Sequence, residues 1–392
     1  MTSTQHNIAW FRYTAPYIKA HRGSTFVVYL GNGCLNAPTL ITLIHDLALL
    51  HSLGVRLVLV HATRGAIDER LSMSGRPATF HQGIRVTDDA TLALASDVAS
   101  QQCLKLEQLI SMGLPNTPLR GARLRVMSGN IVTAKPLGIH EGIDYLHSGT
   151  VRRVDADAIR AILDHDAIAL ISPLGYSPAG ELFNLSASEV AEAVAVTIEA
   201  DKLIFLDQQP GLNNTKGILI RQSTVADAAL LDIQDAEQRR LRDAACQACD
   251  NGVKRSHLLS YEREGALLEE LFTHDGAGTL IAQNPYAQAR SADIDDIAGI
   301  VELIRPLEES GALVRRSRER LEEEIHHFII LERDRRIIAC AALYPYQEVN
   351  LGEIACVATH PDYRRTGRAE QLLDELLARA SALALTDVFA LT

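Results

Sequence analysis

Residues 353–373 read EIACVATHPDYRRTGRAEQLL, and three patterns follow one another within them. Glu353 to Thr359 is short and apolar, which predicts a strand. Arg364-Arg365-Thr366-Gly367-Arg368-Ala369 is a basic loop with a glycine, and behind it Leu372, Leu373, Leu376, Leu377 and Ala380 recur at helical spacing. Such a loop offers successive backbone N–H groups at a helix N-terminus, where unpaired donors and the helix dipole both favour an anion. Gly367 and Ala369 are small enough to let a ligand approach the backbone. The pattern predicts a pyrophosphate cradle held on a helix that a core pins along one face. Cys356, in the strand beside it, reads as core filler.

Upstream of this stretch, Ile294, Ile297, Ile300, Val301 and Ile304 form a helix stripe with Asp293 as its N-cap. A second helix starts after Ser317 with Leu321, Ile325 and Phe328 inward. The segments FIILER, IIACAALYPY and GEIACVAT follow as strands, with turns near Asp334 and Asn350. Two helices, an antiparallel sheet and an anion-binding helix predict an α+β ligand domain. Earlier still, Phe26 to Leu30, Arg56 to Val60, Ile168 to Ser172 and Leu203 to Asp207 are short, strongly apolar runs separated by helical patterns. This spacing predicts an α/β domain whose parallel sheet is covered on both faces. Between the first two runs, Leu40, Leu43, Ile44, Leu47 and Leu50 make a helical stripe closed by Gly54. Residues 282–291, AQNPYAQARS, are poor in large aliphatics and contain Pro285, so the expected domains are 1–284 and 289–392.

Composition narrows the function classes. The chain has 392 residues, 47% of them hydrophobic and 22% charged, with no apolar run of membrane-spanning length. A net charge of -11 gives no general attraction to nucleic acid or an anionic membrane. The N-terminus lacks the apolar run of a signal peptide, so a cytoplasmic location is expected. Six scattered cysteines do not make a disulfide framework. Cys246 and Cys249 have no second pair or suitably spaced His to complete a zinc site, and no metal is expected. Ile8, Trp10, Phe11, Tyr13, Tyr17 and Ile18 make the first helix apolar, suited to pack on a neighbouring subunit or on its own domain.

From residue 289 onward the arrangement resembles the GNAT superfamily of acetyltransferases, whose coenzyme A loop reads Gln/Arg-x-x-Gly-x-Gly/Ala; Arg364, Gly367 and Ala369 match it. The remainder resembles the amino-acid kinase fold, closest to the N-acetylglutamate kinases, and the pairing of the two resembles the bacterial N-acetylglutamate synthases. The segments that carry this are YIKAHRGSTFVVYLGNG, GIRVTD at 83–88, NTPLRGARLRVMSGN at 116–130, GALLEELFTHDGAGT at 265–279 and LIRPLEESGALVRRS at 303–317.

The resemblance implies acetyl transfer from acetyl-CoA, a co-substrate with no tightly bound cofactor beside it, to the α-amino group of L-glutamate. It further implies the first step of arginine biosynthesis, inhibition by L-arginine through the first domain, and a hexamer. By resemblance Glu353 is the general base, acting through water. The Val357 N–H polarises the thioester, and Cys356, Val357 and Arg364 to Ala369 hold the coenzyme. Leu313, Arg315 and Arg316 meet glutamate, whose two carboxylates suit Arg better than Lys, with Arg315 the favoured ligand. Lys202, His257, Ser260, Glu270 and Gly276 form the arginine effector site. Kinase chemistry lacks its electrostatics: the Lys-x-Gly-Gly of the kinases is Tyr29-Leu30-Gly31-Asn32, their glycine-rich substrate loop is Val60 to Gly65, and a kinase Asp aligns with Ser188. Arg85 then reads as a structural or residual polar residue. The family's acetyltransferase sheet extends past the strand at Thr392, so that domain is expected to be C-terminally truncated. Two readings stay open at this point, an active synthase and a catalytically inactive arginine-binding regulatory protein, with an active kinase disfavoured by Tyr29.

Overall fold

The computed structural model describes residues 3–113, 124–273, 276–284, 288–333, 336–361 and 368–391. The chain divides into two compact units, Met1–Asn284 and Pro285–Thr392.

The four apolar runs lie side by side at the centre of an eight-stranded sheet in the first unit, as parallel strands Lys202–Asp207, Thr25–Leu30, Arg56–His61 and Ala167–Ile171. Alternate residues feed two cores. Val27, Tyr29, Val58, Val60, Leu203 and Phe205 face one, together with helices Ala187–Thr197 and Ala236–Asp250. Phe26, Val28, Leu30, Leu57, Leu59, Ile204 and Leu206 face the other, with helices Leu40–Ser52 and Ala266–Phe272. Burial on both faces is why each run reads as continuously apolar. The predicted stripe of the Leu40–Ser52 helix is buried throughout, and Gly54 takes the left-handed φ of +90° that ends it.

The sheet is wider than those four strands. Arg125–Met127 adds one edge, and Arg255–Ser260, Thr279–Ala282 and Gln222–Thr224 add the other, with Thr279–Ala282 antiparallel to Arg255–Ser260. A second sheet of four strands, Leu182–Asn184, Leu174–Tyr176, Val132–Pro136 and Gly149–Val154, was not expected from the sequence. Its strands are short and half-polar, so their period-two signal is weak.

In the second unit a five-stranded sheet runs Gln288–Ser291, Phe328–Arg333, Arg336–Tyr346, Leu351–Thr359 and Asp387–Phe389. It is antiparallel except for the last pair. Helices Ile297–Glu309 and Arg318–Glu324 pack on one face over Phe328, Ile330, Cys340, Ala342, Cys356 and Ala358. Helix Arg368–Ala382 covers the other through Leu372, Leu376 and Ala380. Asp293 forms a capping box on a 3₁₀ turn, Ile294–Asp296, that leads into helix Ile297–Glu309, so the α-helix itself starts later than expected, whereas Ser317 accepts the Arg320 N–H and starts the second helix as expected. Ile294 and Leu377, expected in the two stripes, are exposed at their flanks.

One irregularity interrupts the sheet. Ala342 pairs with Ala355 and Cys340 with Ala358, so Cys356 and Val357 together oppose Ala341 in a β-bulge. Cys356 takes φ +53°, a left-handed value rare outside glycine. The bulge also switches which side chains face which way. Ile354 belongs to the core under helix Arg368–Ala382, whereas Cys356 and Ala358 belong to the opposite one.

The first helix spans Ser3–His21, with Trp10 and Phe11 exposed. Its C-terminal end is fastened to its own unit. Tyr17 and Ile18 pack against the core, His21 Nε2 donates to Leu271 O at 2.8 Å, and the imidazole meets Phe26 and Phe272 edge-on. Among the described residues no helix is long and apolar enough to cross a membrane.

Candidate active site and effector site

Glu353 is half-buried on the strand that carries the bulge, between Tyr344 on the antiparallel neighbour and Phe389 on the parallel one. Tyr346 Oη donates to Glu353 Oε2 at 2.8 Å. Four residues on, Val357 is exposed while Cys356 before it is buried, and the bulge takes one residue of this strand out of ladder pairing. Acyl transfer to an amine needs a donor for the thioester oxygen and a base for the amine. The Cys356 thiol is pushed up to about 11 by burial, against the opposing pull of Arg316, and is a poor nucleophile. Its side chain is core, as the sequence suggested, so only its backbone is available to a coenzyme.

The segment before helix Arg318–Glu324 places its three expected residues in different settings. Leu313 packs against the core of the unit, Arg315 is exposed, and Arg316 is half-buried. Arg316 donates its backbone N–H to Glu308 Oε1 at 3.0 Å and Nη1 to Val314 O at 3.3 Å, while its buried Nε has no partner among the described residues. The charge of Arg316 acts on Cys356, Tyr344 and Glu324. The sequence favoured Arg315; the side chain turned toward the bulge is Arg316. Sequence reasoning also passed over Glu324, which accepts from Tyr344 Oη at 2.6 Å and from Arg320 Nε at 2.8 Å. Tyr346 was missed as well. The alternation of Tyr344 and Tyr346 opposite Glu353 was the available signal.

Of the expected coenzyme loop, Arg364, Arg365, Thr366 and Gly367 lie outside the described residues. Arg368 opens helix Arg368–Ala382, and Ala369 is half-buried in its first turn.

The first unit assembles most of the expected effector residues into one buried chain. Lys202 Nζ donates to His257 Nε2 at 3.4 Å, and His257 Nδ1 donates to Glu270 Oε1 at 2.7 Å. Glu270 Oε2 accepts from Ala277 N at 2.6 Å and Gly278 N at 3.0 Å. Burial and the Lys202 cation push His257 down to about 4, so it bridges cation and anion as a neutral ring. Burial would raise Glu270, but the hydrogen bonds from His257, Gly278 and Ala277 hold it at about 2. Gly276 sits at φ +66°, and a Cβ there would run into Glu270 Oε2. Ser260 does not join them. It ends the strand three residues beyond His257, roughly 10 Å along, and donates to Gln208 O at 2.7 Å. Side chains at 257 and 260 also point to opposite faces, which the sequence-based grouping overlooked.

At the carboxyl ends of the parallel strands lies a cavity of about 350 Å³ lined by Tyr29, Asn32, Arg64, Arg85 and Ser188 among others. Tyr29 is buried where the kinases carry lysine. Arg85 is also buried, pairs with Asp68 at 2.8 Å and lies 4.7 Å from the Phe80 ring centre. Among the described residues no group of three His, Cys, Asp or Glu side chains is placed to hold a metal ion. Cys246 and Cys249 are buried on helix Ala236–Asp250, the latter 3.3 Å from Ser256 Oγ.

Residues 24–260 match the amino acid kinase family and residues 297–392 the acetyltransferase (GNAT) family. An amino-acid acetyltransferase of Azotobacter vinelandii is 51% identical over 387 residues, covering 98% of this chain and 90% of the relative. One of Pseudomonas aeruginosa is 49% identical with the same coverage. Among solved structures, N-acetylglutamate synthase from Neisseria gonorrhoeae complexed with coenzyme A and L-arginine is similar at a TM-score of 0.90 and 36% identity, over 98% of this chain and 90% of that one. The same enzyme complexed with coenzyme A and N-acetyl-glutamate gives 0.70 and 38%, over 98% and 89%.

Proposed function

The chain belongs to the amino-acid acetyltransferase family, and from that premise we propose that it transfers acetyl from acetyl-CoA to the α-amino group of L-glutamate, giving N-acetyl-L-glutamate and CoA. The reading is carried by one observation: a relative of the same fold over 98% of this chain binds coenzyme A with L-arginine in one structure and with N-acetyl-glutamate in another. We assign the reaction to the first step of arginine biosynthesis, with L-arginine as its feedback inhibitor.

Each step follows from the chain's own groups. An α-amino group titrates near 8 in peptides, so much of it is protonated near neutral pH. Glu353 takes that proton through water, and the free amine attacks the thioester directly. The negative charge that develops on the carbonyl oxygen is met by the Val357 N–H at the bulge. Arg316, with its unpartnered buried Nε, and Arg315 receive glutamate's carboxylates. The loop from Arg364 to Ala369 takes the coenzyme's pyrophosphate at the helix N-terminus.

Arginine binds in the first unit, where Glu270 supplies the planar acceptor its guanidinium requires and Lys202 a cation for its carboxylate, with His257 and Gly276 completing the walls. Binding coupling is reciprocal, so arginine and the substrates weaken one another equally. The exposed Trp10 and Phe11 suit a contact between subunits in a homo-oligomer, which we take to be a hexamer.

A thiol-release assay with acetyl-CoA and L-glutamate, repeated with L-arginine, tests the reading. CoA release that depends on glutamate and falls with arginine is expected; no glutamate-dependent release overturns it.

A further inference from the structure

The hydrogen bond between Tyr346 and Glu353 has no evident structural use. Tyr346 is about half exposed and ends its strand at the hairpin through Asn350. Exposed hydrogen bonds exchange readily with water and add little to stability. A phenylalanine would fill the same space against Phe389, whose ring stacks on that of Tyr346 at 6.2 Å between centroids and 23° between planes. What the hydroxyl adds is a fixed donor.

Its placement follows from register. Tyr346 pairs with Leu351, and Glu353 pairs with Tyr344, so the phenol reaches Glu353 diagonally across the strands, a separation aromatic side chains span. Phe389, the parallel partner of Glu353, holds the ring from the far side. A glutamate on a half-exposed strand otherwise samples many rotamers, and a base spread over them meets its proton in few. Tyr344, two residues back on the same face, is committed elsewhere, to Glu324.

We propose that Tyr346 is a positioning residue for acetyl transfer: its phenol fixes the Glu353 carboxylate beside the bulge, so that the base meets the amine in one orientation. This rests on the reading of Glu353 as the general base. Tyr346 transfers no proton itself. A second property follows from the same contact, because the adjacent carboxylate pushes the ionisation of the Tyr346 phenol upward.

The test compares wild type, Tyr346→Phe, Tyr344→Phe and Glu353→Gln in glutamate-dependent CoA release. For Tyr346→Phe, kcat falls about five- to thirtyfold, as loss of orientation predicts, and KM for acetyl-CoA stays within about twofold. In Tyr344→Phe the contact between Tyr346 and Glu353 is intact, and kcat falls less than in Tyr346→Phe. Tyrosinate absorbance, taken as the difference between wild type and Tyr346→Phe, isolates the Tyr346 titration, and Glu353→Gln moves it down. A Tyr346→Phe enzyme with wild-type kcat overturns the proposal, as does a Tyr346 titration that Glu353→Gln leaves in place. A wild type inactive toward glutamate defeats the parent reading instead, and the proposal with it.

Discussion

The two candidate sites handle charge in opposite ways. In the first unit, Lys202, His257 and the side chain of Glu270 are buried, and each makes hydrogen bonds within a chain that neutralises itself. In the second, Glu353 and Arg316 are only half-buried, and the Arg316 guanidinium keeps an unpartnered nitrogen. A buried, satisfied network is rigid before any ligand arrives, and its integrity is part of the fold. A half-open cluster on a sheet irregularity contributes little to folding and leaves its groups free for a reactant. Damage to the first should therefore appear in stability, and damage to the second in rate.

The sharpest test of that division is Glu270→Ala. It leaves the buried His257 without its acceptor, and removing one partner of a buried pair costs about 3–5 kcal/mol. Urea melts should show the loss, and calorimetry should show no arginine binding. The same network makes stability depend on acid. His257 is lowered from 6.5 to about 4 and Glu270 from 4.5 to about 2, so each contributes stability above its unfolded value that is lost as pH falls through its folded one. Melts should weaken between about pH 6.5 and 4, and Glu270→Ala should flatten the part below 4.5. A mutant as stable as the wild type would make the triad dispensable.

Glu353→Gln is the counterpart. It should leave the melt unchanged while glutamate-dependent turnover drops about 10²–10⁴-fold, the range of a lost general base, with acetyl-CoA binding intact by calorimetry. Unchanged turnover removes Glu353 from the mechanism.

Gly276→Ala falls between the two. A methyl at φ +66° presses on Glu270, costing about 1–3 kcal/mol. Arginine should bind more weakly and the turnover without arginine should hold. If arginine affinity is unchanged, the glycine serves only its turn.

How far these sites could be read in the sequence depended on local periodicity. The central parallel strands were legible because both faces are buried, and the helix stripes because one face is. The four-stranded sheet escaped, being built of short half-polar strands. Lys202, His257 and Glu270 lie far apart in the chain and meet only because Lys202–Asp207 and Arg255–Ser260 are neighbours with Ala266–Phe272 packed behind; resemblance grouped them, spacing could not. Resemblance also drew in Ser260, which strand alternation rejects. The bulge was invisible, since a one-residue insertion reverses the parity on which strand reading depends. For the same reason the sequence could not tell that Cys356 turns inward and Val357 outward.

The bulge sets the smallest expected effect, and it separates backbone from side-chain chemistry within the second site. At φ +53°, a side chain at 356 costs about 1–2 kcal/mol relative to glycine, while burying a small apolar thiol returns about the same. Cys356→Gly should thus melt within about 1 kcal/mol of wild type, the two contributions offsetting. If the bulge acts through its amides and attack on the thioester is direct, turnover should remain within about threefold, since no transition-state contact is lost. A folded Cys356→Gly protein that binds acetyl-CoA yet releases no CoA would instead put the thiol in the reaction, and with it a covalent acetyl-cysteine that the raised ionisation of Cys356 argues against.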